Sequence, residues 1–323
     1  MASLVRDNFV ALDLAKYGVE INIDDLSKEE ILNYIDQENF NRISYLKQDY
    51  FNFKKYINAE FYPKHMDYWN NDCAPDIIRF MSIKIGSKKN YSYYNFLYGI
   101  EEEHLPVFTE EQVSFVNYLS GLLPLVRTHE YWIARCLMND TSNMEEISST
   151  LADNIQGYVP AELDHALEHM KFISCNGNRI SLDVQLDDQF VDYLDDLLSY
   201  GITRFISEYG DTTDFKLWHS YRMDQVQLKL CKNPGYTMKG TYVYDEIVYI
   251  FASIKKDASV QEHLNYKDKF LQSDLFQWEC EAGLNSDNQS ELINSQKAYL
   301  FIRKVVTENG LVLPFTYVGT GKL

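Results

Sequence analysis

Apolar residues recur through the first 140 positions at intervals of three and four, the period of an amphipathic helix. Ser27-Lys28-Glu29-Glu30 opens one such stretch as a capping box, with Ser27 at the N-cap and Glu30 three residues on. Ile31, Leu32 and Ile35 follow at helical spacing, and Tyr45, Tyr50, Phe51, Phe53 and Tyr56 carry an aromatic-rich stripe onward. The run Asn70-Asn71-Asp72-Cys73-Ala74-Pro75 breaks the pattern, and Asp76-Ile77-Ile78-Arg79-Phe80 restarts it. A second capping box, Thr109-Glu110-Glu111-Gln112, leads into Val113, Phe115, Leu119 and Leu122.

From about residue 141 the rhythm changes. Residues 141–154 and 159–170 form two short helical patterns split by Gly157 and Pro160. Residues 171–182 then alternate around Asn176-Gly177, a strong hairpin signal. Helix, helix, hairpin is the order of a winged-helix module. A longer helical pattern over 189–209 follows it. Beyond Asp211-Thr212-Thr213 the spacing is predominantly that of strands, after a short helix over 222–230 ended by Asn233-Pro234-Gly235. Residues 241–254 alternate Val243, Ile247, Val248, Ile250 and Phe251 with polar positions, and 300–306 and 311–318 flank Glu308-Asn309-Gly310, another hairpin signal. The expected fold class is α+β: a helical coupler over 1–140, a winged-helix-like part over 141–212 and a β-rich domain over 213–323.

Composition supports packed cores, with 46% hydrophobic and 15% aromatic residues in 323. No stretch approaches the roughly 18 apolar residues a membrane span requires, so no membrane partner is expected. The first residues lack the pattern of a signal peptide, and Met1-Ala2-Ser3 reads as a cloning remnant of a longer protein. Cys73, Cys136, Cys175, Cys231 and Cys280 stand far apart with no CxxC pair, which argues against a zinc ribbon or disulfide framework and for the reducing cytoplasm. The net charge of −18 is unevenly spread. Residues 1–213 hold 17 Lys+Arg against 35 Asp+Glu, which is −18, whereas 214–323 hold 13 of each, which is zero. Phosphate contact depends on Lys and Arg, so an acidic segment suits a basic protein surface better than DNA.

Two motifs suggest chemistry and are set aside. His165-Ala166-Leu167-Glu168-His169 fits the H-x-x-E-H zinc-peptidase helix, but no third ligand can be singled out. Gly319-Thr320-Gly321-Lys322 resembles the end of a phosphate loop, but Leu323 stands where Ser or Thr belongs. No catalytic constellation, cofactor or metal is therefore expected. Aromatic density is the stronger clue: Tyr236, Tyr242, Tyr244, Tyr249, Phe251, Tyr266, Phe270, Phe276, Trp278, Phe315 and Tyr317 lie in the charge-balanced region. These rings could fill a core. A domain that flips a base also needs aromatic faces to stack it, and a carboxylate such as Asp268 to accept from the cytosine amine.

Several residues in order carry a family likeness: Gly235-Tyr236, residues 250–256, Tyr266-Lys267-Asp268-Lys269-Phe270, Phe276-Gln277-Trp278, residues 300–304 and Phe315-Thr316-Tyr317-Val318-Gly319. Together they resemble the C-terminal domain of bacterial phospholipase-D-nuclease/helicase fusions, the SauUSI-like, ATP-dependent Type IV restriction endonucleases. Residues 26–39, 63–75, 91–97, Arg127 and Glu130 resemble the helical part that follows the motor there. The likeness departs at Ile254-Lys255 and at Cys280-Glu281.

The resemblance implies that a nuclease and a helicase motor lie upstream, that the acidic helices couple motor to reader, and that the last domain is an SRA/PUA-like barrel. Such a barrel takes a flipped 5-methyl- or 5-hydroxymethylcytosine from double-stranded DNA. The expected base-binding residues are Tyr266, Asp268, Phe270, Trp278 and Tyr317, with Tyr244 and Ser253 behind them. Two other readings stay open: a protein-interaction adaptor in which these residues are structural, and a metallopeptidase through His165 and His169.

Overall fold

A computed structural model of the chain describes residues 42–81, 84–85, 88–89, 92–210, 214–231, 240–244, 246–254, 268–272, 274–279, 294–308 and 311–322. The capping box at Ser27 with Ile31, Leu32 and Ile35, the turn residues Asn309 and Gly310, and Tyr266 lie outside them. The chain divides into two compact units, Met1–Val107 and Phe108–Leu323.

In the first unit the aromatic stripe forms helix α1 (Arg42–Tyr56), followed by α2 (His65–Asn70), α3 (Ile78–Met81), an antiparallel pair β1 (Lys84–Ile85) and β2 (Lys88–Lys89), and α4 (Tyr93–Gly99). Helical geometry splits the stripe. Leu46, Tyr50 and Phe53 share one face and are buried, while Tyr45, Phe51 and Tyr56 are exposed. The breaker at 70–75 ends α2, as its Asn, Asp and Pro content predicts. The core is aromatic: Phe80 packs on Phe96 at 4.6 Å between centroids, and Phe53 on Tyr68 at 4.5 Å. Its phenols are satisfied. Tyr93 Oη donates to the Pro63 carbonyl at 3.1 Å, and Tyr50 Oη donates to Glu102 Oε2 at 2.6 Å.

The second unit begins with α5 (Glu110–Gly121), whose capping box forms as the sequence predicts. Thr109 Oγ1 accepts from the Gln112 amide at 3.2 Å, and Gln112 Oε1 accepts from the Thr109 amide at 2.8 Å. Helices α6 (His129–Met138), α7 (Met144–Asn154) and α8 (Ala161–His169) precede the hairpin of β3 (Ile173–Asn176) and β4 (Arg179–Leu182). Gly177, at φ 59°, occupies the left-handed position of that hairpin turn. Helix α9 (Asp188–Tyr209) buries Phe190, Tyr193, Leu194, Leu197, Leu198, Gly201 and Ile202 along one continuous stripe. Asp187 Oδ1 caps it by accepting from the Phe190 amide at 3.0 Å.

The remaining elements are β5 (Ser220–Tyr221), α10 (Met223–Lys229), β6 (Thr241–Tyr244), β7 (Ile247–Ser253), β8 (Lys269–Gln272), β9 (Leu275–Gln277), β10 (Lys297–Arg303), β11 (Thr307–Glu308), β12 (Leu311–Val312) and β13 (Phe315–Gly321). Five of them form one sheet in the order β5-β13-β10-β7-β6. Its pairs are antiparallel except β10 with β7, which run parallel with Tyr299 opposite Tyr249 and Phe301 opposite Phe251. Among the described residues this sheet is open and does not close into a barrel. The mixed α+β class is as expected: helices early, strands late. No helix among the described residues is long and apolar enough to cross a membrane.

The sheet has two unlike faces. One carries Tyr221, Tyr249, Phe251, Tyr299, Phe301, Phe315 and Tyr317 in a core that includes Phe215 and is closed by Val126, Tyr209 and Val226. The other carries the smaller residues Val248, Ile250 and Ala298, with Trp278 packed against them.

Candidate functional site

Most of the late aromatics that the structure describes fill the sheet's own core. Tyr249 stacks on Tyr299 at 5.3 Å and 18°, Phe251 on Phe301 at 4.9 Å and 15°, and Tyr299 on Tyr317 at 5.7 Å and 23°. Tyr317, 4% exposed, is enclosed by these rings and Phe215, and burial raises its phenol pKa above the ordinary value. Its ring has no open face for a base. Tyr244 stands on edge strand β6 opposite Ile247. Ser253 ends β7, and its Oγ accepts from Arg303 Nε at 2.8 Å, which ties it to β10.

Asp268, Phe270 and Trp278 converge on a different element. Strands β8 and β9 pair with each other outside the main sheet, Lys269 opposite Gln277 and Phe270 opposite Phe276. Asp268 enters this hairpin and Trp278 leaves it, so the two meet at its open end. Asp268 is buried there, and its Oδ1 accepts from the Glu279 amide at 3.0 Å. The hairpin exposes three apolar side chains, Phe270 at 45%, Leu271 at 50% and Leu275 at 49%, beside the polar turn at Gln272 and Asp274. Phe270 meets Phe276 edge-on at 4.9 Å.

One exposed aromatic escaped the sequence reading. Trp218 is 73% exposed and sits at φ 64°, a conformation that costs a bulky residue ~1–2 kcal/mol. Two backbone bonds hold it against β13: the Trp218 amide donates to the Tyr317 carbonyl at 2.8 Å, and the Tyr317 amide donates to the His219 carbonyl at 2.9 Å. Strained, exposed aromatics are enriched at binding sites. Nothing in the periodicity of 214–219 signals it.

A second cluster is buried where helices α6, α8 and α10 meet. Arg127, 5% exposed, forms an ion pair with Glu130, 2% exposed. Its Nη1 also lies 2.8 Å from His165 Nδ1 and donates to the Leu228 carbonyl at 3.1 Å and toward Cys231 Sγ at 3.4 Å. Burial opposes the charge on Arg127, but Glu130 more than offsets that and raises its pKa. Beside it, His129 Nε2 lies 3.0 Å from Glu162 Oε2. Burial would raise the Glu162 carboxyl, but the bond and charge of His129 hold it below the ordinary value. Burial pushes the Cys231 thiol up. His165 and His169 stack at 4.4 Å, and His169 Nδ1 donates to the His165 carbonyl at 2.8 Å. The H-x-x-E-H pair therefore turns one nitrogen of His165 to Arg127 and one of His169 to the backbone. Sequence spacing could not reveal the cluster, because its members come from 127–130, 162–165 and 228–231.

No curated protein matches the chain. Residues 46–179 are similar to a family described as Domain of unknown function (DUF8090), and residues 215–323 to one described as Domain of unknown function (DUF3427).

Proposed function

We propose that the chain is the target-recognition and coupling region of an ATP-dependent, SauUSI-like Type IV restriction endonuclease, and that its last domain reads 5-methyl- or 5-hydroxymethylcytosine in double-stranded DNA by base flipping. The observation that carries this reading is the β8–β9 hairpin, which gathers Asp268, Phe270 and Trp278 and exposes Phe270, Leu271 and Leu275. The DUF3427 domain is found in helicase-associated proteins, which is consistent with a motor upstream.

In this reading Asp268 keeps Oδ1 on the Glu279 amide and offers Oδ2 to the exocyclic amine of cytosine. Trp278 stacks the extruded base, and Phe270 with Leu271 and Leu275 forms an apolar wedge for the step it leaves. Tyr266 and Tyr244 are the remaining members of the proposed base-binding set. Tyr317 and Ser253 contribute indirectly, Tyr317 by filling the core beneath and Ser253 by fixing Arg303. An SRA/PUA-like barrel and a winged-helix-like part over 141–212 belong to the same proposal. So do the nuclease and helicase domains upstream, the coupling role of the acidic helices and a cytoplasmic location.

The test is the affinity of the whole chain for duplexes differing only in cytosine 5-methylation, at physiological salt. One enclosed methyl supports a preference of about ten- to a few-hundred-fold. Equal affinity for the two duplexes overturns the proposal. The adaptor reading would then stand, favoured by Phe51 and Tyr56, which are 52% and 65% exposed on α1.

A further inference from the structure

The buried cluster contains more than an ion pair. His129 begins α6, Glu162 lies in the first turn of α8, and Cys231 follows α10. One donor atom from each lies within 4.8 Å of the other two. A nitrogen, a carboxylate oxygen and a sulfur form a donor set suited to a borderline-soft divalent cation. Zinc bond lengths of about 2.0–2.3 Å place neighbouring tetrahedral donors roughly 3.3–3.8 Å apart. His129 Nε2 and Glu162 Oε2 are already 3.0 Å apart, so small side-chain movements would close the set around an ion.

The donor set is buried at His129, which is 4% exposed, and Nε2 is the nitrogen that faces Glu162 and would carry the ion. Arg127 and Glu130 neutralise each other. A divalent cation would share the Glu162 carboxylate with His129 and displace the Cys231 thiol proton to leave a thiolate. Arg127 Nη1, 3.4 Å from Cys231 Sγ, is placed to donate to that thiolate, as outer partners of metal-bound sulfur do.

We propose that His129, Glu162 and Cys231 bind one zinc-like divalent cation that fastens helices α6 and α8 to the chain leaving α10. This departs from the metal-free expectation, and it uses different residues from the H-x-x-E-H pair. The ion would pin the region similar to DUF8090 to the region similar to DUF3427.

The experiment uses the whole chain, stripped with a chelator and titrated with zinc against a chromophoric competitor, then with cobalt. One zinc per chain is expected. The melting midpoint should rise by roughly 5–10 °C when zinc stands a hundredfold above its Kd. Cobalt should give a thiolate charge-transfer band. Cys231→Ser should abolish that band and weaken zinc at least tenfold while near-UV circular dichroism stays native, and His129→Ala should also lose the ion. His169→Ala should keep it. No saturable binding at micromolar free zinc, a cobalt spectrum without the thiolate band, or unchanged affinity in Cys231→Ser would each overturn the proposal.

Discussion

Phe270 and Tyr317 are both aromatic residues of the strand region, yet they make opposite predictions. Tyr317 is enclosed on all sides, so Tyr317→Ala should cost ~3–5 kcal/mol in chemical denaturation, the loss expected for a buried ring. Phe270 is 45% exposed, so Phe270→Ala should change stability by only ~0.5 kcal/mol while weakening duplex binding. A large stability loss for Phe270→Ala would show the hairpin to be structural. Asp268→Ala should reduce the preference for methylated duplex without changing the salt slope, since a base-edge contact releases no phosphate counterion.

His219 supplies a pH dependence. Burial lowers its pKa below 6.5, with Glu208 opposing and Lys216 reinforcing the shift. The folded state then binds fewer protons than the unfolded state just below that value, so stability falls as pH drops through and below about 6.5. Above it His219 is neutral in both states and costs nothing. The ring packs against Tyr209 at 5.6 Å and Tyr221 at 5.2 Å, so His219→Phe keeps an aromatic ring there. Thermal melts of this variant should show a shallower acid-side decline than the parent. An identical decline would remove His219 as its cause.

At the level of elements, Gly201 makes the sharpest prediction. Alanine in mid-helix is ordinarily favoured over glycine by ~1 kcal/mol. At Gly201 of α9, however, an added Cβ would fall 2.3 Å from the Tyr131 ring. Tyr131 is fully buried and donates to the Leu119 carbonyl at 2.9 Å, so it cannot swing away cheaply. Gly201→Ala should therefore destabilise by ~1–3 kcal/mol, the cost of overpacking, despite better helix propensity. A stabilised variant would mean that the two helices separate easily.

The elements themselves were largely legible in sequence, because their signals are local. Thr109-Glu110-Glu111-Gln112 closes its capping box and Asn176-Gly177 makes its turn within a few residues. Sites are not local in that sense. An aromatic run such as Tyr299 to Phe301 reads the same whether it lines a core or a pocket, and only the partner strand decides. His129, Glu162 and Cys231 share no spacing, whereas His165 and His169 share a suggestive one and turn nitrogens elsewhere.

At the scale of the whole molecule, the acidic excess and the shared core make separate demands on a fragment. Residues 1–213 carry all of the −18 net charge, so duplex affinity should reside in the later part of the chain. Yet the core under the sheet draws on Val126 and Tyr209 as well as on Phe215 and Tyr221. A fragment cut near 213 would expose that aromatic face to solvent. A fragment of 108–323 keeps the unit whole and should bind methylated duplex about as tightly as the full chain. Residues 1–107 alone should bind weakly at physiological salt. Residues 1–107 hold 12 Lys+Arg against 17 Asp+Glu, only −5 of the −18, so tight binding by that first piece, measured by anisotropy, would defeat the assignment of duplex reading to the last domain.

The parallel pairing of β7 with β10 has a consequence for how the domain can change over generations. Partners β6 and β7 are joined by a short turn, and β10 and β13 lie near each other in sequence, but the middle of the sheet is bridged by residues 254–296. Lengthening a connection between paired strands costs only ~0.6 kcal/mol for each doubling of its length. That crossover also bears the β8–β9 hairpin with Asp268 and Phe270. Insertions and deletions there would leave the aromatic register of β7 and β10 intact, so one sheet tolerates hairpins of different length and sequence.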